Sequence, residues 1–338
     1  MGDDGTWLSC QIIHSSVGVW YPTIQFACKV YNPKTREITW KSINVSNFVT
    51  PPPGLDKRSA KADEFSVTHK SAPGSDFPET YTIRANLSAE LQISLEVSRP
   101  KLIPGYKIGA GEKGGYSYFG PDLAKPDGYV IHRFWPRYYA TGHIIRNGAA
   151  ESIQGPGMFS PQLGGVSAIQ MEFTTISTYG RKGGNSGGVA VNIGSLVVGD
   201  KLATVTAETR WPDEQASADA PIRSRASHHK AQVDADTGYP VPAEVTFEWA
   251  GPSLIAESAG SYAGKLRVDL ADDKGLVEKV DVLAEIPRVI KMAVSYVAGT
   301  KPFVYQWHNP ATLTLTGPGA DETTDVEGTL YNEATFIS

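Results

Sequence analysis

Cysteine is nearly absent from this chain: only Cys10 and Cys28 occur in 338 residues, each inside an alternating apolar run. A disulfide framework is therefore not expected, and two buried thiols in a reducing compartment are. A surplus of basic charge is missing as well. With 31 Lys and Arg against 36 Asp and Glu, the formal net charge is -5 and the pI about 5.8. No basic stripe compensates, so the composition gives no support to a nucleic-acid partner, whose phosphates must be neutralised by Lys and Arg. Long apolar runs are lacking too. No uninterrupted stretch reaches the roughly 18 residues of a membrane-crossing helix, and no charged-then-apolar leader opens the chain. A soluble, cytoplasmic protein is the expectation.

What is present points to β-structure. Hydrophobic residues make up 41% and charged residues 20%, enough apolar material for real cores and too little charge for a disordered chain. The 34 Gly, 23 Pro and 15 Tyr suit short strands separated by turns. Single cores stop growing at roughly 250 to 300 residues, so two domains are expected, 1–150 and 151–338. In the first half, period-two alternation predicts strands over Trp7 to His14, Tyr21 to Tyr31, Trp40 to Val49, Phe65 to His69, Thr80 to Asn86 and Ala89 to Val97. Residues 101–128, with Tyr116, Tyr118 and Phe119, read as a loop over an opening. Tyr129 to Trp135 and Tyr138 to Ile145 read as two strands split by Pro136, and 147–157 as the boundary between domains.

The second half repeats the texture over Ala168 to Ser177, Val189 to Val198, Lys201 to Arg210, Ala243 to Trp249, Ala263 to Leu270, Ala311 to Thr316 and Asn332 to Ile337. Asp213 to Thr237 is polar and patternless, a long surface loop. One amphipathic helix is expected near the C-terminus, over Ile286 to Val297. There Ile286, Ile290, Ala293, Val294 and Val297 recur at three- and four-residue steps, with Pro287 in the first turn and Gly299 just past the end.

Several motifs resemble catalytic signatures. Gly109, Gly111 and Gly114 spell a dinucleotide fingerprint, but Gly115, Tyr116 and Pro121 follow where a helix must receive the pyrophosphate, so a loop is the plainer reading. Gly184-Asn185-Ser186-Gly187-Gly188 matches a nucleophile loop. Its Ser needs a His base and an Asp orienter, and no His here has the surrounding sequence of one, so a glycine-rich hairpin is preferred. His228 and His229 are adjacent and would face opposite ways on a strand, which does not make a metal site. His132, Trp135 and Arg137 could line a cavity mouth, although a packed strand with Arg137 reaching to water accounts for them equally. No cofactor is called for.

Four separated stretches resemble the fungal survival-factor family, in order along nearly the whole chain. They are Gln11-Ile12-Ile13-His14-Ser15-Ser16; Lys41 to Val49 with Asn47-Phe48-Val49; His132-Arg133-Phe134-Trp135-Pro136-Arg137 with Gly142; and a C-terminal set. The last comprises Val280 to Pro287, Val297-Ala298-Gly299-Thr300-Lys301-Pro302-Phe303 and the terminal Thr335-Phe336-Ile337-Ser338. The resemblance implies an all-β chain of two lipocalin-like (calycin-like) antiparallel barrels side by side. It implies binding of ceramide or a similar long-chain lipid, carriage from endoplasmic reticulum to Golgi, and survival under oxidative stress. Residence would be cytoplasmic or nuclear, with peripheral membrane contact. Against the family pattern, a membrane-binding segment before Gln11 and a His-, Trp- and Phe-rich segment between Gly157-Met158-Phe159 and Met171-Glu172-Phe173-Thr174-Thr175 are lacking. Weakened membrane contact and an exposed strand edge are expected from this.

A small barrel encloses room for one ligand, and an apolar cavity needs few polar groups to hold an acyl chain. The residues expected to line it are Phe119, His132, Trp135, Arg137, Met158, Phe159 and Phe303. The alternative from the same fold is a cofactor-free cyclase or hydratase of secondary metabolism, which would set a Tyr, His or carboxylate beside an apolar substrate.

Overall fold

The structure, a computed structural model, describes residues 5–17, 21–108, 116–119, 128–159, 169–178, 187–198, 201–210, 224–255, 259–281, 284, 303–318 and 323–336. All paired strands are antiparallel, and among the described residues the sole helical element is a 3-10 turn at Ala271–Asp273. The all-β, antiparallel expectation therefore holds. The amphipathic helix expected over Ile286 to Val297 lies outside the described residues.

The chain divides into two compact units, Met1–Pro104 with Arg137–Pro161, and Gly105–Pro136 with Gln162–Ser338. The first holds β1 (Trp7–Val17), β2 (Tyr21–Asn32), β3 (Glu37–Asn44), β4 (Ala60–Lys61), β5 (Phe65–Ser71), β6 (Glu79–Ser88) and β7 (Leu91–Arg99). In the second lie β8 (Tyr106–Ile108) and β9 (Tyr116–Phe119), both paired with the start of β10 (Gly128–Arg146). From Arg137 onward β10 belongs to the first unit, and β11 (Ala149–Phe159) follows it there.

Neighbours in the first unit are neighbours in sequence, β1-β2-β3 and then β4-β5-β6-β7-β10-β11. An isolated bridge between Val49 and Lys61, with the Asp63 amide donating to the Ser46 carbonyl at 3.0 Å, ties the segment after β3 to β4. This up-and-down order follows from short polar turns between alternating runs, because each strand pairs with the next before the chain can travel. Phe26, Cys28, Val30, Phe65, Leu91, Ile93, Leu95 and Ile144 are buried in one apolar cluster to which every strand from β1 to β7, β10 and β11 contributes. Cys10 and Cys28 are directly opposed on β1 and β2, with free thiols 4.0 Å apart.

The second unit continues with β12 (Ile169–Thr178), β13 (Gly187–Val198) and β14 (Lys201–Arg210), which form one three-stranded sheet. β15 (Ser224–His229), β18 (Glu244–Pro252), β19 (Ser261–Asp269), β20 (Leu276–Asp281), β21 (Phe303–Thr316) and β22 (Thr323–Phe336) form another, in the order β15-β18-β19-β21-β20 with β22 also paired to β21. Between β15 and β18 a small ribbon joins β16 (Gln232–Val233) to β17 (Pro240–Val241).

Three differences from the sequence reading have physical causes. β11 occupies the stretch expected as a domain boundary. Asn147 and Gly148 both take positive φ, 52° and 81°, the left-handed pair of a two-residue hairpin turn that matches strand twist. β10 runs unbroken through Pro136, because its ladder with β8 ends at Phe134 and its ladder with β7 starts at Tyr139. Pro136 falls where the strand changes neighbours, so its missing N–H is not needed there. β15 is an edge strand inside the stretch read as a loop. Its His228 and His229 oppose Val245 and Glu244 and face opposite ways, as expected of adjacent strand residues.

Candidate functional site

Period-two alternation along β21 sets Tyr305, Trp307, Asn309, Ala311 and Leu313 on one buried face, while Gln306, His308, Pro310 and Thr312 take the other. The partner strand β22 places Ala334 opposite Tyr305, Asn332 opposite Trp307 and Leu330 opposite Asn309. The two strands thus present a continuous wall, and Val245, Phe247, Leu266 and Val268 of β18 and β19 belong to the same buried cluster.

Four rings make this wall aromatic at one end. Tyr305 and Trp307 stack with centroids 5.8 Å apart, Phe336 meets Tyr305 edge-on at 5.6 Å, and Tyr239 stacks on Phe336 at 5.0 Å. Such pairs hold large flat apolar area in a fixed geometry. A polar clasp closes the end. The Tyr305 hydroxyl lies 2.7 Å from Thr237 Oγ1, and Lys279 Nζ donates to Asp234 and Asp236 at 2.8 and 2.9 Å while sitting 5.8 Å over the Tyr305 ring. Burial pushes the Asp234 carboxyl upward, but Lys279 and the amides of Thr237 and Asp236 hold it at about 2. Desolvation raises the Tyr305 phenol, so both groups keep their ordinary ionisation state at neutral pH.

Two asparagines interrupt the apolar phase. Asn309 is 6% exposed and Asn332 8%. The Asn309 amide nitrogen donates to the Lys274 carbonyl at 3.1 Å, which fixes the orientation of the side chain. Among the described residues its Oδ1 has no partner, and neither has Asn332 Nδ2. Gly275 makes room for Asn309: it has φ +71°, and a Cβ there would lie 2.3 Å from Asn309 Nδ2.

The first unit also holds buried atoms without a hydrogen bond among the described residues, His69 Nδ1 and Nε2 and Arg146 Nη1, but it sets them beside carboxylates. His69, fully enclosed, has Nδ1 3.5 Å from Asp56 and Nε2 3.6 Å from Glu79, with the Tyr81 ring at 4.8 Å. Arg58 bridges Asp56 and Glu79, and Arg99 Nη2 reaches Glu79 at 2.7 Å. These charges ring the sheet end, while the cluster inside is apolar. A groove of about 360 Å³ in this unit is lined by Lys61, Ser66, Arg84, Ser94 and His143, residues that alternate with core positions and so face outward.

The expected lining residues are distributed across the molecule. Phe303 opposes Phe336 and packs against the β21–β22 core. Trp135 is buried at 8% exposure, and Arg137 is half-buried, with its guanidinium pKa lowered by burial. His132 lies on β10 opposite Ile108, Phe119 on β9 opposite Gly128, and Met158 and Phe159 end β11. The side chains of these four lie outside the described residues. So do Gly109, Gly111 and Gly114, and also Gly184 to Ser186, whereas Gly187 and Gly188 open β13. Among the described residues no group of three or more His, Cys, Asp or Glu is placed to hold a metal, and no helix is long and apolar enough to cross a membrane. Tyr305, Trp307 and Asn309 precede the strand expected over Ala311 to Thr316, and Asn332 opens the strand expected over Asn332 to Ile337 with nothing to mark it as buried.

Known proteins match this chain along its whole length. The Svf1 family matches over residues 1–166 and again over 162–338. The chain belongs to the Svf1 family. Its relatives include the ceramide-binding protein svf1 of Schizosaccharomyces pombe, 31% identical over 349 residues, covering 97% of this chain and 80% of that protein. The proteins of the same name in Emericella nidulans and Neurospora crassa are each 29% identical and cover 100% of this chain and 84% of theirs. Among solved structures, the crystal structure of CghA aligns with a TM-score of 0.48 at 11% identity, covering 100% of this chain and 86% of that one.

Proposed function

We propose that this Svf1-family chain binds a ceramide-type lipid and carries it between membranes, from endoplasmic reticulum toward Golgi, out of a cytoplasmic pool. The observation that carries the reading is the match to proteins named for ceramide binding across 97% to 100% of the chain. The aromatic wall of β21 and β22 is the kind of surface that suits such a ligand. Each methylene moved from water onto it contributes about 0.8 kcal/mol, so an acyl chain needs little polar recognition to bind well. The role is that of a binder and not a catalyst, and support of survival under oxidative stress is its wider setting. Peripheral contact with membranes would give the lipid its entry and exit.

Native mass spectrometry and lipid extraction of the full chain purified from a eukaryotic host test this. A sphingolipid recovered in near-stoichiometric amount is the expected result. An empty protein that converts a polyene substrate would replace the carrier with an enzyme.

A further inference from the structure

We infer that Asn309 and Asn332, on the buried wall of β21 and β22, form a recognition pair for the amide group of an N-acyl lipid. The inference rests on the carrier reading and names the group by which the lipid is told from other acyl lipids.

The two side chains share one face. Asn332 opposes Trp307, and Asn309 lies two residues along from Trp307, opposite Leu330. They are diagonal neighbours in an antiparallel ladder, with backbones about 7 Å apart. Each is more than nine-tenths buried, and each has one polar atom without a partner among the described residues. Those atoms differ in kind. Asn309 Oδ1 accepts, because its own amide nitrogen is committed to the Lys274 carbonyl, whereas Asn332 Nδ2 donates.

A buried acceptor beside a buried donor is the complement of a secondary amide, which offers one N–H and one carbonyl oxygen. A free fatty acid anion offers acceptors alone and leaves Asn309 unmatched, as does an ester. Hydrocarbon matches neither. Buried polar groups are nearly always hydrogen-bonded, and a pair left unmatched inside an aromatic core is the exception that calls for a partner. A site built to hydrogen-bond a ligand rejects analogues lacking the group far more strongly than an apolar wall rejects a change of length. Gly275 supports the arrangement, since a Cβ there would meet the Asn309 amide at 2.3 Å. Trp307 and Tyr305 flank the pair on the same face and would line the first methylenes beyond the amide.

The test is competition for the full-length protein loaded with a fluorescent fatty-acyl probe. The competitors are an N-acyl sphingoid lipid, its O-acyl isostere of equal chain length and the free fatty acid. Wild type is expected to prefer the amide over the ester by roughly tenfold or more. Asn332→Leu, close in volume, should reduce that preference to about twofold, and Asn332→Gln, which keeps the donor, should retain part of it. Asn332→Leu should also unfold at the same temperature as wild type or higher, because it removes an unmatched buried amide; a polar group already satisfied inside the fold would give the opposite shift. Equal affinity of wild type for amide and ester, or a preference unchanged in Asn332→Leu, overturns the pair while leaving the carrier in place. Should Asn332→Leu fail to fold, the wild-type amide-to-ester ratio decides alone. Displacement of the probe by none of the three lipids overturns both readings.

Discussion

The two units solve the same packing problem in different ways. In the first, the buried faces of β1 to β7, β10 and β11 converge on an apolar cluster around Phe26, Phe65, Leu91 and Ile144, and the charged side chains Asp56, Arg58, Glu79 and Arg99 pair with one another around His69 at the end of the sheet. In the second, the corresponding wall carries Asn309 and Asn332 among Tyr305, Trp307 and Phe336, with a polar atom of each left unmatched. An unmatched buried polar group costs about 1–3 kcal/mol. Both units bear that cost among the described residues, the first at His69 Nδ1, His69 Nε2 and Arg146 Nη1 and the second at Asn309 and Asn332. The surroundings differ: His69 has the carboxylates of Asp56 and Glu79 3.5 and 3.6 Å away, whereas the two asparagines stand among rings, and on the proposed reading that makes the second unit the place where a ligand is read.

The comparison is broken most sharply by truncating each core. Phe26→Ala, which removes a ring packed 4.8 Å from Phe65, should cost about 3–5 kcal/mol in denaturant unfolding and leave the lipid preference of the folded fraction intact. Trp307→Ala should cost a similar amount and abolish lipid binding as well. If Phe26→Ala alters selectivity as much as Trp307→Ala does, the division of labour is wrong.

Two glycines sharpen the same contrast with smaller effects. Gly142 (φ +150°) lies so close to β7 that a Cβ would stand 2.1 Å from the Ser94 carbonyl oxygen, and Gly275 would press on Asn309. Alanine at either should cost about 1–3 kcal/mol by overpacking and backbone strain. Thermal unfolding should register both, but only Gly275→Ala should change the amide-to-ester ratio, because only there does the displaced neighbour belong to the proposed recognition pair.

Acid gives the smallest effect. Burial and the Arg58 charge lower the His69 pKa from its ordinary 6.5, against the opposing pull of Asp56 and Glu79. The folded state therefore takes up the proton less readily than the unfolded one. Stability from this group is full above about pH 6.5 and is lost as pH falls below it. Asp56, held at about 2 chiefly by hydrogen bonds from Arg58, and Glu79, lowered by Arg99 and Arg58 in spite of its burial, add losses below about pH 4. His69→Gln should flatten the fall in unfolding temperature between about pH 6.5 and 5 without affecting lipid selectivity. An unchanged slope would remove His69 from the account.

Most strands were legible because one face is apolar and the other polar, and their pairing order followed from short turns. Two of the misplaced strand ends have a proline in common. Pro136 reads as a break between strands and the run Ala311 to Thr316 begins just after Pro310, yet β10 and β21 both pass through. Pro136 sits between the ladders with β8 and β7, and Pro310 sits between the ladder with β20, which ends at Trp307, and the ladder with β19, which begins at Leu313. A strand that changes neighbours has a short gap where an N–H is not needed, and this depends on pairing that no local pattern reveals. The same error hid the site. With the strand started at Ala311, Asn309 fell outside it, although Tyr305, Trp307, Asn309, Ala311 and Leu313 already alternate. Asn147-Gly148 was the opposite case: a hairpin signal was present in the sequence and was read as a boundary. Among the expected lining residues Phe303 stands at the start of β21 opposite Phe336. Asn332 could not be picked out by type, because nothing in a lone Asn distinguishes a surface turn from a buried amide until its partner strand is known.

The central claim is that lipid is held against the β21–β22 wall. A photoreactive N-acyl sphingoid lipid with a diazirine near the amide, bound to the full chain, irradiated and mapped by peptide mass spectrometry, tests it directly. Adducts concentrated in Phe303–Thr316 and Thr323–Phe336, and suppressed by unlabelled lipid, are the predicted result. Competable adducts confined to the β2, β5 or β7 peptides of the first unit would contradict it.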